Sequence, residues 1–190
     1  MSNALNLVIV GVGGQGTLLA SRVLGSIASQ LGLDVKVSEV HGMSQRGGSV
    51  TTYVRMGETV YSPLVEQGGA DFILAFEELE ALRALPYLKK GGALIVNTQQ
   101  ILPLPVITGT ALYPAGIIER LKGECETVAV DALPLATKAG SARAVNTVLL
   151  GRLAKSLPHE KSLWRKALEE TVPQRFLEAN LRAFEAGFAL

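Results

Sequence analysis

The sequence has few of the residues that build disulfides and metal centres. Its 190 residues include one cysteine, Cys125, and two histidines, His41 and His159. A single thiol cannot form an internal disulfide, and it fits a reducing compartment. No set of Cys, His and carboxylate residues has the spacing of metal ligands, and neither a Walker A loop nor a G-x-S-x-G turn occurs. The chain therefore shows no complete active site and no metal site of its own.

The charge and the length of the apolar runs exclude two further classes of partner. The formal net charge is +1, from 18 basic and 17 acidic residues, and the basic residues do not cluster in one run. Nucleic acid and anionic membranes both require such a cluster. No window approaches the roughly 18 to 20 apolar residues of a membrane span. The amino terminus also lacks the basic region and cleavage-like site of a signal peptide. We therefore expect a cytoplasmic protein that binds neither nucleic acid nor a membrane.

The alternation of apolar runs with helical segments predicts an α/β fold. The chain is long enough to bury one sizeable core, so we expect residues 1–190 to form a single domain. The segments predicted as strands are short, at residues 5–10, 35–40, 71–76, 93–97 and 126–132, and those at 5–10, 71–76 and 93–97 are largely apolar. Such alternation is typical of a three-layer sandwich around a mostly parallel, doubly wound, Rossmann-like sheet.

Two further features modify this fold. Residues 48–62, with a turn at Gly57 and Glu58, predict a β-hairpin or an extended pair, inserted antiparallel into the otherwise parallel sheet. From about residue 155 the pattern is helical to the end of the chain, and Thr171 and Gln174 have the spacing of a capping box. We therefore expect a helical C-terminal tail.

The first predicted strand runs into a glycine-rich turn, GVGGQGT, that opens a helix. Gly11, Gly13 and Gly16 satisfy the G-x-G-x-x-G pattern in the strand–turn–helix context that gives it physical meaning. Glycines let the backbone approach an anion closely, and the amides and dipole at a helix start favour phosphate or carboxylate. The candidate binding residues of this turn are Gly11, Gly13, Gly14, Gln15, Gly16 and Thr17. Glu39 is the candidate for a ribose hydroxyl. A tight turn that binds nothing is the alternative.

A second polar loop, EVHGMSQRGGSV at residues 39–50, follows the second predicted strand. It should leave the same carboxyl edge of the sheet as the glycine turn, from an adjacent strand, so we expect the two loops to be neighbours. Arg46 supplies a fork of donors for an anion, and the flanking glycines keep the approach open. The candidate binding residues here are His41, Gly42, Ser44, Gln45, Arg46, Gly47 and Gly48. The alternatives are a structural turn with a solvated Arg46 and a structural role for His41.

The chain contains, in order, three blocks that are more specific than the glycine pattern alone: GVGGQGTLLASRVLG, SEVHGMSQRGGSV and ADFILAFEELEALRALPYLKKGGALIVNT. They resemble the gamma-type subunits or domains of 2-oxoacid:ferredoxin oxidoreductases, and most closely the beta subunit of indolepyruvate:ferredoxin oxidoreductases. The resemblance runs from about residue 6 to the helix containing Asn146. It implies a part in the oxidative decarboxylation of an aryl 2-oxoacid to its acyl-coenzyme A ester, with electrons passed to ferredoxin.

The cofactors of that reaction are expected on a larger partner subunit. An iron–sulfur cluster normally takes four cysteine ligands, and this chain has one cysteine. The sequence also lacks a GDG segment followed by a distant Asn, the family pattern for the magnesium of thiamine diphosphate. The resemblance thus implies a non-catalytic small subunit that completes the complex and, by analogy of fold, contributes to the coenzyme A site.

Two other functional classes stay open at this point. One is a stand-alone nicotinamide-dependent reductase, which the glycine turn and Glu39 favour and the lack of a convincing proton donor opposes. The other is an interaction module whose glycine turns bind no ligand.

Overall fold

Six β-strands form one mixed sheet in the computed structural model, which describes residues 4–42 and 48–190. The strands are β1 (Leu5–Val12), β2 (Asp34–His41), β3 (Ser49–Gly57), β4 (Ala70–Ala75), β5 (Leu88–Asn97) and β6 (Glu126–Val130). Their order across the sheet is β2-β3-β1-β4-β5-β6. β1, β4, β5 and β6 run parallel, whereas β3 is antiparallel to both of its neighbours. The predicted α/β class and its mostly parallel sheet are confirmed.

The antiparallel insertion is a hairpin of β2 and β3. The two strands pair from Asp34 opposite Gly57 to His41 opposite Val50. The sequence prediction placed the second arm of the hairpin at residues 59–62 instead, and this was wrong because residues 58–69 contain no strand. β3 already pairs with β2 on one edge and with β1 on the other, so it has no free edge for a further arm. β3 consequently separates β1 from β2.

Helices cover both faces of the sheet. They are α1 (Thr17–Gln30), α2 (Glu78–Ala84), α3 (Leu104–Ile107), α4 (Ile117–Glu124), α5 (Ala132–Lys138), α6 (Val145–Lys155), α7 (Lys161–Thr171) and α8 (Gln174–Phe188). Alternate side chains of β1 belong to two different hydrophobic cores, one on each face of the sheet. Leu7 and Ile9 pack in the first core with α1 and with α5 to α8. Val8 and Val10 pack in the second core with α2 and α4. Burial on both faces explains why the strand is a continuous apolar run. The three-layer arrangement is confirmed. None of the helices among the described residues is long and apolar enough to cross a membrane.

The C-terminal helices are packed closely into the first of these cores. Trp164 of α7 is fully buried and stacks on Phe184 of α8, with ring centroids 6.2 Å apart. α6 and α8 touch through glycines: a Cβ on Gly151 would lie 2.2 Å from the carbonyl oxygen of Phe184, and one on Gly187 would lie 1.9 Å from that of Val148. The predicted helical tail is therefore part of the folded core.

Candidate functional site

The turn between β1 and α1 depends on glycine at two positions. Gly14 and Gly16 have φ angles of +98° and +88°, which side chains with a Cβ rarely adopt. Gly16 is also required by packing, because a Cβ there would lie 2.3 Å from Nδ2 of Asn146. The backbone is thereby turned so that α1 begins at Thr17 beside the end of β1.

Gln15 fastens this turn to the neighbouring strand. Its Oε1 accepts a hydrogen bond from the amide of Val12 at 2.7 Å, and its Nε2 donates to the carbonyl of Phe76 at 3.0 Å. Its side chain thus bridges the ends of β1 and β4. The chain first adds strands on the β3 side of β1 and later on the β4 side, so the strand order reverses between β1 and β4. Ligands of open α/β sheets usually enter at such a point. Because Gln15 occupies it, the accessible side of the turn is the one that faces β3.

A cleft of about 370 Å³ opens on that side, between the turn, the start of α1 and the ends of β2 and β3. Its lining includes Gly13, Gly14, Gly16, Thr17, Leu18, Glu39, His41 and Val50. The amide of Gly13 donates to the carbonyl of Gly48 at 2.9 Å, so the two predicted loops are neighbours. The predicted reason was wrong, since the strands they follow are not adjacent. The loops meet because β3 returns alongside β1, with Ser49 opposite Val12.

The start of α1 presents backbone donors to this cleft. No side chain caps the helix at Gly16. Within residues 4–42 and 48–190, no acceptor is recorded for the amides of Gly14, Gly16, Thr17 and Leu18. Such amides, together with the positive end of the helix dipole, form an anion-accepting surface.

Glu39 lies on the wall of the cleft, in a different place from that of a ribose-binding carboxylate. Its Oε2 accepts a hydrogen bond from the hydroxyl of Thr52 at 3.1 Å and lies 3.4 Å from that of Thr17. Because β3 is inserted, Glu39 stands two strands away from β1, or about 10 Å at the usual strand spacing. A dinucleotide fingerprint relies on a carboxylate at the end of the strand beside the first one. This displacement disfavours the nicotinamide-reductase interpretation.

The remaining predicted residues belong to the loop between β2 and β3. His41 ends β2 with an exposed side chain, whose Nδ1 lies 3.4 Å from the carbonyl oxygen of Gly42. Ser44, Gln45, Arg46 and Gly47 lie outside the described residues. The two ends of this segment, Gly42 and Gly48, are held near each other: the amide of Gly42 donates to the carbonyl of Ser49 at 3.2 Å, next to Gly48.

Sequence analysis missed a buried carboxylate at the end of β4. Glu77 is 1% exposed, and its carboxylate accepts hydrogen bonds from the amides of Glu80 and Ile101 and, at 2.5 Å, from the hydroxyl of Tyr113. Burial, followed by the hydrogen bond to Glu77, raises the pKa of Tyr113 above its ordinary value, so this hydroxyl remains a neutral donor. Glu77 thereby ties the long loop after β5 to the carboxyl edge. The sequence signal that could have indicated this residue is the pair Glu77 and Glu78, which directly follows a strand predicted to be buried.

The fold and the cleft define a doubly wound α/β domain with a glycine turn that opens onto a cleft and with an inserted hairpin. The chain belongs to the pyruvate ferredoxin/flavodoxin oxidoreductase family, whose sequence model matches residues 6–190. This assignment confirms the resemblance that the three sequence blocks indicated.

Relatives within the family extend over nearly the whole chain. The chain is 44% identical to the indolepyruvate oxidoreductase subunit IorB of Thermococcus kodakarensis, over 96% of this chain and 93% of the relative. The protein of the same name from Archaeoglobus fulgidus is 41% identical, over 97% and 94%.

Solved structures share the fold. The gamma subunit of a keto/oxoacid ferredoxin oxidoreductase from Geobacter sulfurreducens superposes with a TM-score of 0.73 at 26% identity, over 97% of this chain and 96% of that chain. The 2-oxoglutarate:ferredoxin oxidoreductase of Magnetococcus marinus has a TM-score of 0.73 at 22% identity, over 98% of this chain but 30% of that one. In the Magnetococcus protein the fold is therefore one part of a longer chain.

Proposed function

We propose that the protein is the small, non-cofactor-bearing subunit of an oxidoreductase acting on indolepyruvate and related aryl 2-oxoacids. The observation that carries this proposal is similarity along nearly the whole of both chains to relatives named as indolepyruvate oxidoreductase subunits, at 44% identity over 96% of this chain and 93% of the Thermococcus protein. If the chain shared only a common domain with enzymes of unrelated function, we would not expect both this sequence identity and this coverage of the relatives' length. The chain is thus proposed to be part of an enzyme without being catalytic alone.

The proposed reaction divides the chemistry between two subunits. An aryl 2-oxoacid loses its carboxylate as carbon dioxide, the acyl group forms a thioester with coenzyme A, and two electrons pass to ferredoxin. Thiamine diphosphate and iron–sulfur clusters supply the carbanion and electron-transfer chemistry of such a reaction. With its one cysteine this chain cannot provide the usual ligands of a cluster. We therefore assign thiamine diphosphate, magnesium and the clusters to a larger partner subunit.

The cleft beside the glycine turn is proposed to receive a phosphate group of coenzyme A. Amides at the start of α1, including those of Gly16 and Thr17, can donate to its oxygens. Glu39 places a negative charge on the cleft wall, so a bound anion requires a cation nearby. Arg46 is the proposed cation, since the loop that contains it begins and ends beside the turn. A carboxylate of the substrate is the other anion that this chemistry would accept.

The partner subunit is proposed to cover an apolar segment at the same edge of the sheet. Residues 98–118, which follow β5, contain no charged residue. Four large side chains in this segment are exposed, to fractions of 49% to 93%: Leu102, Leu104, Ile107 and Leu112. The segment is anchored by Glu77 through Ile101 and Tyr113. Large exposed apolar patches are commonly interaction sites.

The proposal is tested by comparing the isolated chain with the assembled complex. Purified alone, anaerobically and with metals supplied, the protein is expected to be colourless and inactive toward 2-oxoacids. Co-expressed with the large subunit, it should co-elute in size exclusion, and the pair should oxidise indolepyruvate with coenzyme A and ferredoxin. Visible cluster absorbance in the isolated chain, or failure of the pair to co-elute, would contradict the proposed role.

A surface variant makes the same experiment more specific. Leu104→Lys combined with Ile107→Lys should abolish co-elution, because burial of each side chain contributes about 1.5–3 kcal/mol, or roughly a hundredfold or more for the pair. Leu31→Lys is the matched control, since Leu31 is 39% exposed but follows α1 at the opposite edge of the sheet. Equal co-elution of both variants would place the interface elsewhere.

Two broader properties complete the proposal. Residues 1–190 are proposed to act as one domain, because the tail helices share a core with α1 and β1. The complex is proposed to work in the cytoplasm, where the lone thiol of Cys125 stays reduced and ferredoxin is accessible.

A further inference from the structure

A chain of buried polar side chains connects the C-terminal helix to the glycine turn. It consists of Asn146 and Thr147 at the start of α6 and Asn180 in α8, which are 4%, 0% and 8% exposed. Buried amides and hydroxyls are unfavourable unless they are hydrogen-bonded, so their placement in an otherwise apolar core is informative.

The hydrogen bonds fix the orientation of each member. The amide N–H of Thr147 donates to Oδ1 of Asn146 at 2.9 Å, which turns the NH₂ group of Asn146 toward Gly16. This Nδ2 lies 3.4 Å from the carbonyl oxygen of Gly16. The hydroxyl of Thr147 lies 2.6 Å from Oδ1 of Asn180 and 3.3 Å from Oδ1 of Asn146, and so joins the two amides. Nδ2 of Asn180 donates to the carbonyl of Phe176 at 2.9 Å. The orientation of Asn146 is therefore set from α6 and α8.

Asn146 in turn limits where the glycine turn can lie. Position 16 has no space for a Cβ because Nδ2 of Asn146 would be 2.3 Å from it. Gly16 is the residue from which α1 starts, and its amide and that of Thr17 belong to the anion-accepting surface of the cleft. A displacement of Asn146 would move these donors relative to a ligand that the partner subunit holds in place.

We propose that Asn146 is a positioning residue for the glycine turn, and that Thr147 and Asn180 hold it in the orientation that aims the first amides of α1 at a phosphate of coenzyme A. This inference rests on the proposed coenzyme A role of the cleft. It makes the C-terminal helix a determinant of coenzyme A affinity, although none of the described residues that line the cleft belongs to that helix.

The test uses the assembled complex and compares Asn146→Ala, Thr147→Val and Thr147→Ser. Changing a residue that orients a ligand-binding group typically alters affinity about tenfold or more, so Asn146→Ala should raise the KM for coenzyme A about tenfold. Thr147→Val, which removes the hydroxyl and with it the contacts to Oδ1 of Asn180 and Oδ1 of Asn146, should raise it by a smaller factor. Thr147→Ser, which keeps the hydroxyl, should leave it near the wild-type value. The KM for the 2-oxoacid and kcat should stay within about twofold. A merely structural role would lower the melting temperature and leave the KM for coenzyme A unchanged, which would overturn the proposal.

A second readout separates this inference from the proposed function. In the isolated full-length chain, Thr147→Val should shift the amide resonances of Gly16 and Thr17, whereas Thr147→Ser should not. If Arg46→Ala raises the KM for coenzyme A but neither Asn146→Ala nor Thr147→Val does, the positioning role is wrong and the coenzyme A site stands. If none of these changes affects the KM for coenzyme A, both the coenzyme A site and the positioning role toward coenzyme A are wrong, and the resonances then show only whether the polar chain controls the conformation of the turn. If the amide resonances of Gly16 and Thr17 do not shift in Thr147→Val, the inference is overturned. This result decides the matter even if Asn146→Ala fails to fold.

Discussion

Replacing Gly187 by Ala is expected to lower the melting temperature of the isolated chain by about 6–12 °C. The added Cβ would lie 1.9 Å from the carbonyl oxygen of Val148, and its three nearest atoms all belong to the backbone of Val148, so α6 and α8 must separate to admit it. Overpacking of this kind costs about 3 kcal/mol at its upper range. For a chain of this size each kcal/mol changes the melting temperature by roughly 2–4 °C.

The control for this prediction is another glycine in a helix interior. Gly25 of α1 has no atom within 4 Å of the position of an added Cβ. Gly25→Ala should therefore leave the melting temperature unchanged or raise it slightly, because alanine restricts the unfolded chain and favours helix by about 0.4–1 kcal/mol. Equal melting temperatures for the two variants, measured by thermal unfolding, would show that the α6–α8 contact is not as tight as described.

Replacing Arg46 by Ala is expected to raise the KM for coenzyme A about ten- to hundredfold in the assembled complex. The change removes a charge-assisted contact worth about 1.5–3 kcal/mol. It also removes the cation that is proposed to offset the negative charge of Glu39 next to the bound anion. Subunit association should survive, because the apolar segment after β5 is unchanged. Steady-state kinetics with coenzyme A and the 2-oxoacid varied separately would measure the effect.

Arg46→Lys tests whether the site needs only a positive charge or also the planar set of hydrogen-bond donors of a guanidinium group. It keeps the positive charge but loses the planar two-pronged geometry, so its KM for coenzyme A should lie between those of the wild type and Arg46→Ala. Unchanged kinetics for both substrates in an assembled Arg46→Ala complex would mean that the loop of residues 39–50 is a structural or interface turn.

The main strands and the glycine turn could be predicted from local sequence. Residues 72–76 and 93–96 are continuous apolar runs because helices cover both faces of β4 and β5. Gly14 and Gly16 indicate the turn because their positive φ angles require glycine. In these segments the residue types themselves signal the structure, since an apolar run indicates a strand buried on both faces and closely spaced glycines indicate a tight turn, so the local pattern is sufficient.

Features that depend on distant partners could not be predicted in this way. The pairing of β3 with both β1 and β2 depends on which strand edges are free in three dimensions, and no pattern in residues 49–62 encodes that. Asn146 meets Gly16 across 130 residues of sequence. The side chain of Gln15 donates to the carbonyl of Phe76, which directly follows β4 and is 61 residues away in the sequence. Each of these contacts is set by tertiary packing.

The most direct test of the proposed role is hydrogen exchange at the glycine turn of the assembled complex, measured with and without coenzyme A. Amides at Gly14, Gly16, Thr17 and Leu18 have no acceptor recorded among the described residues, so a phosphate bound there should slow their exchange. The predicted result is protection of residues 13–18 by coenzyme A at concentrations near its KM, and loss of that protection in Arg46→Ala. Unchanged exchange at residues 13–18 in a complex that turns over coenzyme A normally would contradict the assignment of the coenzyme A phosphate to this cleft.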